Sequence, residues 1–129
     1  MKKMIVFIIL LSGILFSVSA ETIQPRDSNV YYGNVGGYGY SVNVYCSGYE
    51  TGTITSYELA EGIKYSYNEA FFGTQGRSTS AVGYGGERAE AIQGFLEMPE
   101  YAEGLGRVTL NNGDYVESGT LTANNDYLD

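Results

Sequence analysis

The sequence predicts an all-β or β-dominated domain, a small antiparallel sandwich or curled sheet with one short helix at about residues 87–97. Three observations lead there. Short runs of β-branched and aromatic residues alternate with polar ones at a period of two, and most are bounded by Gly, Asn or Asp. The chain holds 13 Tyr and 18 Gly but only 2 Pro, a composition that suits strands and turns. Its 129 residues leave room for one core and little more.

The elements follow in chain order. Residues 1–20 read as a secretory signal peptide. Lys2 and Lys3 open it, Met4 to Phe16 is almost wholly apolar, and Val18-Ser19-Ala20 supplies the small residues of a cleavage site. Cleavage is expected before Glu21, with a secreted, extracellular product, or a periplasmic one in a Gram-negative bacterium. No second apolar stretch follows, so no membrane span is expected after signal cleavage. Residues 21–29 are polar, contain Pro25 and read as a loose leader; residues 30–129 read as a single β-rich domain.

From Val30 to Tyr40, tyrosine and glycine dominate, and the reading is a hairpin with glycines at its turn. Strands are predicted at Tyr40–Ser47, Gly52–Tyr57, Ile63–Tyr67, Ser78–Tyr84, Gly106–Leu110 and Tyr115–Ala123. The alternation is clearest in Ile63, Tyr65 and Tyr67, with Lys64, Ser66 and Asn68 opposite, the pattern of an antiparallel sheet with one covered face. Asn111-Asn112-Gly113-Asp114 between two such runs is a hairpin signal. The helix is expected because Ala89, Ile92, Phe95 and Leu96 fall on one side, acids occupy the first turn, and Pro99 lies beyond the end. Gly94 weakens it.

Past residue 20 there are only twenty Leu, Ile, Val and Phe, so tyrosine rings are expected to supply the missing bulk of the core. That part of the chain carries fifteen acids and five bases, a net charge of −10. Such a surface repels phosphate backbones and anionic lipid, which argues against nucleic acid and against electrostatic membrane binding.

With no histidine and one cysteine, imidazole-based nucleophile pairs and thiolate metal sites within one chain are closed, and a non-catalytic protein is expected. Carboxylate pairs such as Glu87 with Glu90, or Glu97 with Glu100 and Glu103, read as solvated acidic faces. Cys46 falls on the apolar side of its strand, among Tyr40, Val42 and Val44; it is either buried or the site of an interchain disulfide.

No cofactor is expected. Calcium is the one ion whose oxygen ligands are present, with Asn112 and Asp114 at one turn and Asp126 and Asp129 near the end. The expected binding surface is the tyrosine-glycine segment, through Tyr31, Tyr32 and Tyr38, where rigid rings give contact area at low entropic cost. Expected partners are an extracellular protein, a glycan, or further copies of the chain. The alternative reading is a secreted toxin or antimicrobial protein acting on a neighbouring cell envelope.

Overall fold

The computed structural model describes residues 27–73 and 76–128, and within them the chain is two antiparallel sheets laid face to face. Nine strands run in order: β1 (Ser28–Val35), β2 (Tyr38–Ser47), β3 (Glu50–Tyr57), β4 (Ile63–Phe71), β5 (Ser78–Gly85), β6 (Arg88–Gly94), β7 (Tyr101–Thr109), β8 (Tyr115–Glu117) and β9 (Leu121–Asn124). A 3-10 turn, Asp126–Leu128, follows. The first sheet has the order β1-β2-β3-β6; the second has β5-β4-β7, with β8 and β9 each pairing a different end of β7. The all-β expectation holds. Among the described residues no helix is long and apolar enough to cross a membrane. The signal peptide (1–20) and most of the expected leader lie outside the described residues, while Ser28 and Asn29 already belong to β1.

The β1-β2 hairpin is the one the tyrosine-glycine segment predicts. Val35 faces Tyr38 across a two-residue turn in which Gly36 and Gly37 both have positive φ, the requirement of the primed turns whose twist matches that of the strands. The 111–114 turn also joins paired strands, as a wider loop in which Gly113 has a positive φ. Tyr115–Ala123 is not one strand. Gly119 turns the chain at positive φ, and Ser118 exchanges hydrogen bonds with the backbone of Gly106, so β8 ends and β9 begins further along β7.

Residues 87–97 are not helical. β6 pairs with β3 from Ser56↔Arg88 to Glu50↔Gly94, so Ala89 and Ala91 point inward while Glu90 and Ile92 point out. The local helical spacing loses to the open edge of β3, which gains a full ladder of backbone hydrogen bonds, and alanine suits the thin space beneath it.

That thin space overturns the expectation of a tyrosine-filled core. Of the thirteen tyrosines only Tyr40 and Tyr57 are buried. The interior holds Val42, Val44, Cys46, Val108 and several alanines, together with Thr51, Thr53, Thr55, Ser66 and Asn68. β7 presents Gly104 and Gly106 to the opposite sheet. A Cβ there would stand 2.0 Å from Thr53 Oγ1 and 2.1 Å from Thr55 Oγ1, so where β7 crosses β3 the sheets approach too closely for rings to fit between them.

Hydrogen bonds replace apolar bulk in this layer. Thr51 donates to Asn68 Oδ1 (2.6 Å), Asn68 Nδ2 donates to Thr53 Oγ1 (3.0 Å), Thr55 and Ser66 share a 2.7 Å bond, and Ser66 donates to the Ala89 carbonyl. A buried polar layer is tolerable only when it is satisfied in this way.

Candidate functional site

The consequence of a thin polar interior is an apolar exterior. On β4 the covered side is Lys64, Ser66, Asn68 and Ala70, and the side carrying Ile63, Tyr65, Tyr67 and Phe71 faces out. The alternation is present as predicted, but the polar side is the covered one. Cross-strand register extends the outer face into rows. Tyr84, Tyr65 and Arg107 lie side by side, then Val82, Tyr67 and Leu105, then Ser80, Glu69 and Glu103, then Ser78, Phe71 and Tyr101. Tyr84 is 72% exposed, and Ile63, Val82 and Tyr115 are also exposed.

The rings organise this face. Tyr65 and Tyr84 meet at 5.3 Å with planes tilted by 58°, and Phe71 stacks on Tyr101 at 4.6 Å. The Arg107 guanidinium lies 4.8 Å from the Tyr65 ring centre and 5.7 Å from that of Tyr115, with Nε 3.1 Å from Glu117 Oε2. Arg107 is thereby fixed as a flat, pre-positioned part of the surface. Glu69 and Glu103 sit directly opposite one another, an arrangement of like charges that a sheet ordinarily avoids. No described cation of the chain pairs with either: Arg77 binds Glu97, Arg88 binds Glu90, and Lys64 is inside. Burial, followed by the charge of Glu69, raises the pKa of Tyr67.

The three tyrosines singled out in the sequence do not form one surface. Tyr31 and Tyr38 share the side of Tyr40, with the Tyr31 and Tyr40 rings 6.0 Å apart; Tyr32 points from the opposite side of β1. There Tyr32, Asn34, Ser41, Ser56 and Glu58 border a shallow groove of about 470 Å³ on the outer face of the first sheet. Tyrosine and glycine are nonetheless linked across strands. Tyr40 faces Gly33 and Tyr45 faces Gly52, and each ring lies over the glycine opposite it.

Cys46, Asn112 and Asp114 are engaged in contacts within the fold. Cys46 is wholly buried, its thiol directed at the Pro99 carbonyl, and burial pushes its pKa up from 9.0 to about 12. A bridge to a second chain would require the sheets to part. Asn112 and Asp114 bond to each other across their turn, through Asp114 N to Asn112 Oδ1 (2.9 Å) and Asn112 Nδ2 to Asp114 Oδ2. Asp126 is in the 3-10 turn, and Asp129 lies outside the described residues. Among the described residues no three His, Cys, Asp or Glu side chains converge on a position that would hold a metal ion. Nearby Asn125 is buried; it accepts from Gly48 N and donates to the carbonyls of Gly48 and Pro99, clamping the β2-β3 turn to the segment after β9.

Lys64 was also missed. Its ammonium is buried and donates to the carbonyls of Ala60 (3.1 Å), Glu61 (2.9 Å) and Gly86, joining the β3-β4 and β5-β6 connections. Burial lowers its pKa, partly opposed by Glu61 and Glu87. Its place inside the strand-to-strand connections marks it as a structural cation.

Comparison of the chain with protein-family models, with curated proteins and with solved structures finds no match.

Proposed function

We propose that this is a secreted, non-catalytic binding protein that engages an extracellular protein through the outer face of its second sheet. The observation that carries the reading is the inversion of β4, which turns Tyr65, Tyr67 and Phe71 outward and Lys64, Ser66 and Asn68 inward. An aromatic, apolar sheet face of this extent is usual for recognition and unfavourable for an unbound surface. Tyrosine and a ring-bound arginine are the side chains in which binding energy concentrates. The composition of residues 1–20 supports export.

Charge selects the class of partner. The Glu69–Glu103 pair lies between two aromatic rows with no described cation of this chain upon it. A second copy docked by the same face brings two such pairs together, each on a strongly acidic chain, whereas a partner offering Arg or Lys completes the site.

Selection of a random peptide library displayed on phage tests this. Peptides enriched in Arg or Lys next to aromatic residues are expected, with binding lost in a Tyr65→Ser, Tyr84→Ser variant and weakened by Glu103→Gln. Enrichment that ignores those substitutions counts against the reading. So does a concentration-dependent dimer that Tyr84→Ser dissolves, which would assign the face to self-association.

A further inference from the structure

We infer that the groove on the outer face of the first sheet is a subsite for a neutral saccharide, independent of the protein-binding face on the other side. Its geometry comes from the strands. Tyr32, Ser41 and Ser56 are register partners across β1, β2 and β3, so they form a row of about 10 Å at the usual strand spacing, long enough for a disaccharide. Asn34 lies opposite Gly39 at the next row, and Glu58 follows directly on β3, held by its backbone N–H to the Gly39 carbonyl at 3.0 Å. The volume, about 470 Å³, falls in the range of small-ligand sites.

The side chains define the ligand. Tyr32 is 76% exposed, a ring whose face is open to the C–H side of a pyranose. Opposite it, Glu58 accepts from hydroxyls, Asn34 donates and accepts, and Ser41 and Ser56 do both. A carboxylate that accepts from two neighbouring hydroxyls makes charge-assisted bonds, the strong kind available to an uncharged ligand.

The glycine is what lets the carboxylate lie down. A Cβ on Gly39 would stand 2.9 Å from Glu58 Oε2, so any larger residue would lift the acid off the floor. The row continues past Ser56 to Arg88 on β6, but that guanidinium is paired with Glu90 and is not among the residues lining the groove, so a phosphate or an acidic sugar meets Glu58 as a like charge. A wholly apolar ligand would leave the serines, the amide and the carboxylate unmatched. Hydrolysis is not implied, because cleavage of a glycosidic bond by the usual route takes two carboxylates and the groove has one.

Amide NMR of the protein, titrated separately with cellobiose, chitobiose and methyl α-mannoside, tests the assignment. At least one probe is expected to give saturable shifts at Gly39, Ser41, Ser56 and Glu58, with a Kd of about 1 mM. Tyr32→Ala and Glu58→Gln should each weaken that binding about tenfold or more, a loss of about 1.4 kcal/mol or more. Tyr84→Ser, on the opposite face, should leave it unchanged, so failure here and failure of the protein-binding reading are told apart. Tyr32 is exposed, so its variant is expected to keep the native amide spectrum. The inference is overturned if none of the three probes saturates these amides, if Tyr32→Ala binds as well as the parent, or if the shifts map to Tyr65, Tyr84 and Arg107.

Discussion

At the scale of single residues, the molecule is governed by how little room lies between its sheets. Gly104 is the sharpest case. A methyl group there would meet Thr53 Oγ1 at 2.0 Å, the Tyr67 carbonyl oxygen at 2.9 Å and Val44 Cγ2 at 2.9 Å, and backbone cannot move aside as a flexible side-chain end can. Gly104→Ala is therefore expected to destabilise the fold by about 3 kcal/mol, at the upper end of overpacking costs, as read by urea denaturation. Gly86→Ala provides the contrast, since nothing lies within 4 Å of the added atom, and its effect should stay within about 0.5 kcal/mol. Equal losses for the two would remove the close approach of the sheets as the reason for glycine in β7. A sequence shows that glycine is present but not whether it stands at a turn or against another strand. The tyrosines were accordingly assigned to an interior that holds only Tyr40 and Tyr57 of the thirteen.

At the scale of elements, the sequence was legible where local chemistry decides and opaque where the neighbouring strand decides. The Gly36-Gly37 hairpin needs positive φ, and β2 alternates Tyr40, Val42, Val44 and Cys46 against polar residues; both were readable because no remote contact competes with them. β6 was misread because Ala89, Ile92, Phe95 and Leu96 satisfy a helical spacing, while its strand character comes from seven register partners on β3. β4 was read at the right period with the wrong side covered. Two inward glycines on β7 and a buried lysine, neither meaningful in isolation, reverse it. The groove was half visible, through Tyr32 but not through Glu58, because its walls come from three strands.

Asn68 tests how β3, β4 and β6 hold together. It accepts from Thr51 (2.6 Å) and from Gln93 Nε2 (3.2 Å) and donates to Thr53 (3.0 Å), with its side chain fully enclosed. Asn68→Ala leaves these buried groups without their partner and should cost about 2–4 kcal/mol in urea unfolding. A loss below about 1 kcal/mol would mean that the ladder does not hold the sheets together.

At the scale of the whole molecule, thin packing explains why two opposite surfaces are available for recognition. Side chains too large for the interior are placed outside, the aromatic rows on one sheet and the Tyr32 groove on the other. The same packing sets the response to alkali. Tyr40, Tyr45, Tyr57, Tyr67 and Cys46 all have raised pKa values, chiefly through burial, with Tyr45 and Cys46 each near 12. An acid whose pKa is raised by folding keeps a proton that the unfolded chain gives up. Stability from these five groups is complete below their ordinary values of 9.0 for the thiol and 10.0 for the phenols, and it is lost as pH climbs from there toward 12. Lys64 acts in the opposite sense. Its lowered pKa means that, approaching 10.5 from below, the unfolded chain holds a proton the folded one has shed, and this alone would raise stability with pH. Five groups outweigh one. The urea midpoint is expected to fall steadily between about pH 9 and 11, with the phenolate absorbance of the enclosed tyrosines rising in the same step as unfolding. Cys46→Ala should flatten the first part of that fall, below pH 10, where the thiol alone of the five has passed its ordinary value. A midpoint that stays level or climbs across this range would show that Lys64, not the phenols and the thiol, controls the alkaline limit of the fold.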